Sequence, residues 1–265
     1  MKKIWQKNQV NLIPDIEKFT VGDDYLIDLN LVKYDLMGSV AHSRMLKKIG
    51  ILNEKEQKLL EENLSLIYQD YKNDLFEILP EDEDVHTKVE KILTLKINDV
   101  GKKLHTARSR NDQVLTDLRL FYKESILQLT LEQEKLIEVL TEFSKKYQDI
   151  PMCGYTHMQR AMPSSVAQWA LAFVEELIDF FVPVRGIFDW VDTCPLGSGA
   201  GFGVSLNIDR EFSAKELGFS RIQVNPIYCQ NSRGKMESGI IDLLTNLALV
   251  CNKIATDLVL FTTSE

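Results

Sequence analysis

Two segments of this 265-residue chain concentrate side chains that can grip an anion. The first is GKKLHTARSRNDQV, Gly101 to Val114, where Lys102, Lys103, His105, Arg108 and Arg110 are followed by Asn111, Asp112 and Gln113. Arginine presents a planar fork of donors that meets a carboxylate through two bonds at once, and Ser109 and Asn111 alternate with the two arginines. The stretch stands just before the longest helical pattern in the chain, and a helix start offers an anion unpaired N–H groups and the positive end of the dipole. The second segment is Tyr155 to Arg160, YTHMQR, which gathers hydroxyl, imidazole, amide and guanidinium groups. Such donors suit a substrate oxyanion, and His157 suits proton transfer. Each segment also has a plain reading. Charges before a helix are usually a solvated face, and a lone loop histidine is usually a structural or surface group.

Other chemistries find less support. PLGSGAGFG, Pro195 to Gly203, carries four glycines, but a phosphate-cradling loop follows a strand and opens a helix, and here a helical pattern precedes it. These glycines are read as permitting tight turns and a close backbone approach to something nearby. His86 and Glu90 lie four apart on a predicted helix and share a face, but zinc requires a third and usually a fourth ligand. The pair is read as a helix-face hydrogen bond, and no metal site is expected. There is no GxSxG elbow and no cysteine in an activating context. What remains is a small carboxylate-bearing substrate handled by acid–base chemistry.

The elements that must position these groups are helical. Hydrophobic residues at 45% and charged residues at 26% suit a soluble globular protein, and the net charge of -8 argues against general nucleic-acid or membrane-surface binding, which needs a basic face. Cys153, Cys194, Cys229 and Cys251 form no CxxC pair and read as reduced thiols of a cytoplasmic protein. The basic N-terminus lacks an apolar core, so no secretory signal is expected, and no contiguous apolar run of membrane length is seen. Apolar residues recur at helical spacing from Asp28 to Ile49, with Gly50 as the stop. Asn53 is placed to cap the next helix, and the acidic run Glu81 to Asp84 precedes another. From Asp112 to Gln148 there is neither Gly nor Pro, enough for a helix on the order of 50 Å. IPMCGYTHMQRAMPSS is expected to be a loop, Ser164 or Ser165 a helix start, Pro183 a kink or helix end, and Asp209 to Leu217 a short helix. Gly234 to Glu265 forms a last long apolar helix, which needs a partner from a neighbouring chain or from sequence past Glu265. The predicted fold is all-α, with little sheet.

At this point the motifs are familiar. GKKLHTARSRNDQV closely resembles the first signature of argininosuccinate lyases, in the fumarase/aspartase superfamily. LMGSVAHSRML (Leu36 to Leu46), EDVHTKVE (Glu83 to Glu90), GYTHMQRAMP (Gly154 to Pro163) and PLGSGAGFG with IDRE are similar to further segments of that family, in the same order. The resemblance implies an N-terminal helical domain over residues 1–108 and a long-helix bundle over 109–265, assembled as a homotetramer with each active site built from three chains. It implies cleavage of argininosuccinate to arginine and fumarate without metal or organic cofactor, with a small-molecule substrate and neither nucleic acid nor membrane as partner. By position, Ser39, Asn111 and Thr156 would bind substrate, His157 would be catalytic, and Ser109 and Arg110 would share the pocket. Arg233, in NPIYCQNSRGK, would match an arginine of the family's third segment.

The chain also departs from the family pattern. Ala107 stands for a usual glycine, Met162 for a glutamine, Gln168 for a histidine and Asn30 for an arginine, while IWQKNQ replaces WGGRF. Ser232 and Gly234 flank Arg233 where acidic residues are usual. The family's mobile loop, of the type GSSxMPxKKNP, carries the serine assigned as general base and is not in this sequence, nor is the small C-terminal helical domain. The expectation is therefore an N-terminal fragment without lyase activity of its own. The alternatives are another lyase of the superfamily, such as adenylosuccinate lyase or aspartase, and a non-catalytic helical assembly protein of the crystallin-like kind.

Overall fold

The computed structural model describes residue 19 and residues 22–263, so the IWQKNQ segment lies outside the described residues. A short helix, α1 (Asp24–Ile27), leads through a 3-10 turn (Asp28–Leu31) into α2 (Val32–Lys48). Helix α3 (Glu54–Lys72) opens on the cap expected at Asn53. Its Oδ1 accepts from Glu56 N, and the Glu56 carboxylate accepts from Asn53 N, both at 3.0 Å, satisfying two N–H groups that a helix start leaves unpaired. Asp84 caps α4 (Val85–Ile97), and α5 (Asp99–Lys103) follows. The Gly-free, Pro-free stretch is one helix, α6 (Arg110–Lys146), of 37 residues.

Residues 151–165 depart from expectation. In place of a loop they form an antiparallel hairpin, β1 (Pro151–Thr156) with β2 (Gln159–Ser165), pairing Thr156 with Gln159. The connection is therefore the two residues His157 and Met158, at φ +53° and +60°. Two positive-φ residues make a type I′ turn, whose strand-matching twist is normally signalled by Asn-Gly or Asp-Gly. His-Met gives no such signal, which is why the hairpin was not legible.

Helix α7 (Val166–Asp179) is capped by Ser165, and α8 (Phe181–Val191) follows at once. Pro183 sits in the first turn of α8, where its missing N–H costs nothing. Strand β3 (Thr193–Cys194), helix α9 (Arg210–Glu216), strand β4 (Arg221–Ile222) parallel to β3, helix α10 (Pro226–Asn231) and helix α11 (Lys235–Phe261) complete the order. The two small sheets leave the fold mostly helical, as expected.

The chain forms two compact units. One contains the described residues through Phe121 together with Asp192–Arg233; the other contains Tyr122–Val191 and the described residues from Gly234. The boundary expected between residues 108 and 109 falls inside the first unit. There, α2, α3 and α4 surround a core that includes Val32, Leu46, Leu60, Ile67, Val85 and Leu93, all nearly inaccessible. In the second, Ile126, Phe180, Val184, Val191, Met236 and Leu243 form one cluster, and Leu140, Phe173, Val174, Leu177 and Val250 another. By length and composition, Pro226–Phe261 also reaches the mark for a membrane-crossing helix, with a mean hydropathy of 1.4 over 18 residues. The expectation of no such stretch counted contiguous apolar residues only.

Candidate active site

The anion-gripping segment sits where its composition placed it, at the start of α6 in the first unit. Ser109 occupies the position before the helix. Its N–H donates to Asp112 Oδ1 at 2.9 Å, and its Oγ accepts from Asn111 N at 3.3 Å. Arg110 donates to Asp84 Oδ2 at 2.7 Å, while the other oxygen of Asp84 caps α4 by accepting from Thr87 N at 2.7 Å. One carboxylate of EDVHT thus joins the starts of two helices. Arg233, just past α10, donates to Asn111 O at 3.2 Å and Asn111 Oδ1 at 3.3 Å. Asn111 and Arg233 are exposed, and Ser109 and Arg110 half-buried. Four of the predicted residues, from segments more than a hundred positions apart, therefore stand together.

Ser39 and Arg108 point inward. Ser39 is buried on α2, and its Oγ accepts from Arg108 Nη1 at 3.0 Å. The Arg108 guanidinium faces the carboxylates of Asp35, Asp112 and Asp117, so its charge neutralises internal acids. Sequence reasoning grouped Arg108 with the candidate carboxylate-gripping residues because spacing alone does not show which way a pre-helix side chain turns.

Beneath this surface lies a cluster that the motifs did not reveal. His86 Nδ1 bonds Asp35 Oδ1 at 2.8 Å, with Asp117 Oδ2 at 3.7 Å, and all three residues are buried. Burial alone would push the imidazole towards neutrality; the charge and hydrogen bond of Asp35, aided by Asp117 and Asp84, outweigh it and raise His86 to about 9. Burial likewise works against Asp35, but His86 and Arg108 hold its carboxyl below the usual range, whereas burial and the neighbouring Asp35 push Asp117 well above it. The pair is therefore imidazolium and carboxylate, beside an acid whose charged form burial and Asp35 disfavour. The ligand atoms of Asp35, His86 and Asp117 lie within 4.8 Å of one another, close enough for a metal. However, His86 Nδ1 is committed to Asp35, and Arg108 already supplies a cation. Nor does His86 bond Glu90 as expected: Glu90 Oε2 stands 3.9 Å from His105 Nδ1. The cavity lined by Asp35, Ser39, His86, Arg108 and Gln113 measures about 10 Å³, room for no more than one water, so the cluster supports the surface rather than receiving substrate. A larger cavity, about 420 Å³, lies on α2 and α3 and is lined mainly by apolar groups such as Leu36, Met37, Val40 and Leu64. None of the predicted site residues lines it, so size alone does not mark the site.

The glycine-rich loop answers what its glycines approach. Gly197, Gly199, Gly201 and Gly203 all have positive φ, and the N–H groups of Gly197 and Gly199 both donate to Asp112 Oδ2 at 2.9 Å. The only trace in the sequence was an acid at helical spacing with Thr116 and Arg119, all three buried on α6.

Thr156 and His157 belong to the second unit, at the exposed tip of the β1–β2 hairpin. Among the described residues, the His157 ring has no hydrogen-bond or ionic partner within the chain. A histidine that moves protons is usually held by such a partner.

Comparisons with known proteins agree with this architecture. The pattern of a family described as lyase matches residues 16–265. An argininosuccinate lyase of Thermotoga neapolitana is 44% identical over 264 residues, covering 100% of this chain and 66% of the relative. That of Phocaeicola vulgatus is 43% identical, with 100% and 59% covered. The chain therefore spans about three fifths to two thirds of the length of these relatives. Among solved structures, EDDS lyase in complex with formate aligns with a TM-score of 0.82 at 21% identity, over 97% of this chain and 50% of the other. A fumarate lyase:delta crystallin from Brucella melitensis bound to cobalt aligns at 0.72 and 19%, over 92% and 58%. At such identities these two speak for the fold alone.

Proposed function

Because this chain belongs to the lyase family, whose pattern covers all but its first residues, we propose that it supplies the carboxylate-gripping half of an argininosuccinate lyase active site. The observation that carries this is the meeting of Arg233 with Asn111 at the head of α6, beside Ser109 and Arg110. In the proposed reaction a proton leaves the carbon next to a succinyl carboxylate, and negative charge builds on that carboxylate. The C–N bond to the guanidinium then breaks, giving arginine and fumarate. Donors set around the carboxylate stabilise the charge where it develops. Ser109, Arg110, Asn111 and Arg233 take that role, with Ser39 behind them, and Thr156 of a neighbouring chain is a further substrate contact. His157 acts as proton carrier, held by groups of a neighbouring chain in a cytoplasmic homotetramer. The chemistry asks for no metal or cofactor, and the pathway is arginine biosynthesis. The relatives' further length supports placing the deprotonating serine outside these 265 residues.

The test is a calorimetric titration of the 265-residue chain with argininosuccinate and with adenylosuccinate. Binding of the first, weakened about tenfold by Arg233→Ala, is the expected result, with no fumarate released. Preference for adenylosuccinate would assign a sister lyase, and binding of neither would favour an assembly protein.

A further inference from the structure

We infer that Asp112 is the positioning residue of this site: its carboxylate clasps the glycine-rich loop onto the first turn of α6, and through that loop sets Arg233 against Asn111. The inference rests on the functional reading above and adds a residue that the motifs did not assign a role.

Asp112 lies in the first turn of a helix, where an aspartate usually faces water, yet it is fully buried. Its two oxygens accept three backbone N–H bonds, each at 2.9 Å, from Ser109, Gly197 and Gly199. Helix capping explains only the first. The other two come from 85 and 87 residues away. Successive backbone N–H groups in positive-φ turns make a concave anion nest, of the kind other proteins use for phosphate. Here an internal carboxylate fills it. The loop reaches Asp112 only because it is glycine. A Cβ on Gly197 would meet Ile208 Cδ1 at 2.6 Å and Arg210 Cγ at 2.9 Å, and one on Gly199 would meet Gly203 O at 3.0 Å.

From the loop, the linkage runs onward. Gln230 Nε2, on α10, donates to Gly199 O at 3.3 Å. Helix α10 ends at Asn231, and the next residue, Ser232, is buried with its Oγ accepting from Arg119 Nη2 at 2.8 Å. Arg119 lies two turns beyond Asp112 on the same face of α6 and also donates to Thr193 O at 2.6 Å. Arg233 then reaches back to Asn111, the residue beside Asp112. The ring closes: Asp112, Gly199, Gln230, Arg233, Asn111. An arginine on a long, exposed side chain needs such a frame to hold two donors in one place, since its rotamer freedom otherwise opposes it.

The test is Asp112→Asn, which keeps size but turns one acceptor into a donor facing an N–H. Amide hydrogen exchange of the 265-residue chain should quicken about tenfold in residues 195–203 and also in residues 228–236, which Asp112 does not touch. Quickening confined to 195–203, or absent, overturns the inference. In titrations with succinate, Asp112→Asn should weaken binding about tenfold in the native background and very little once Arg233→Ala is present. Equal loss in both backgrounds also overturns it, because a merely structural role would not be routed through Arg233. Should Asp112→Asn fail to fold, Gly199→Ala blocks the clasp from the loop side and must give the same two patterns. A native chain that binds no dicarboxylate would sink the functional reading alone, and the exchange result would still decide the clasp.

Discussion

Histidine 86 shows how much of a candidate site lies beneath the residues proposed to touch substrate. Its raised affinity for a proton makes stability depend on pH with a definite sign. A histidine with a folded pKa of about 9 against 6.5 unfolded binds its proton more tightly when folded. It therefore contributes fully below about pH 6.5, and the contribution, on the order of 3 kcal/mol, is lost as pH rises through 9. Urea midpoints from pH 6 to pH 9.5 should fall accordingly. In Asp35→Asn the imidazole keeps its burial but loses its nearest counter-charge, with Asp117 and Asp84 still beside it, so the alkaline loss should shrink. An unchanged alkaline slope in Asp35→Asn would assign the titration elsewhere. None of this was visible in the sequence, where His86 and Asp35 are 51 positions apart. The types of Ser109, Arg110, Asn111 and Arg233 were visible, because donors proposed to meet a ligand stand together in short motifs. Buried charges are specified by contacts that no local pattern records.

At the scale of elements, helices were legible and turns were not. Periodicity, the Asn53 and Asp84 caps and the absence of Gly and Pro placed α3, α4 and α6 closely. The polar stripe Asp112, Gln113, Thr116, Asp117 and Arg119 on α6 is buried throughout, since its groups pair with α2, α4 and two loops. The turns at residues 107 and 157–158 depend on positive φ at Ala and at His-Met, which composition does not announce. Ala107 has φ +61° in the turn closed by Arg108 N donating to His105 O, directly before the site. Glycine, which the resemblance expects at that position, would adopt this φ without strain. A Cβ in the left-handed region costs about 1 kcal/mol, partly returned by the lower entropy of unfolded alanine. Ala107→Gly should therefore raise stability by roughly 0.5 kcal/mol, read as a higher urea midpoint at unchanged slope. A lowered midpoint would mean that the methyl group packs more favourably than its backbone is strained.

For the whole molecule, the second unit leaves apolar surface that its own helices do not cover. Along α11, Ile241, Leu244, Leu249, Leu258, Val259, Leu260 and Phe261 are exposed. Patches of this extent mark an interaction surface. The segment is apolar enough for a bilayer, but its polar contacts argue for a water-facing bundle: Trp169 Nε1 donates to Asp257 at 2.8 Å, and Lys253 pairs with Glu176. In hydrocarbon such charges would carry a penalty of several kcal/mol. A second copy of the chain is the occupant that the proposed tetramer requires, and a bundle of like helices buries like faces against one another. Sedimentation across a hundredfold concentration range should show mass rising above 30.4 kDa, and Leu249→Lys with Leu258→Lys should hold the chain at that mass. Because both leucines are exposed in the single chain, the double variant should keep its helical circular dichroism. A native chain that stays at one mass throughout, or floats with lipid vesicles, would remove the proposed partner and with it the source of the group that holds His157.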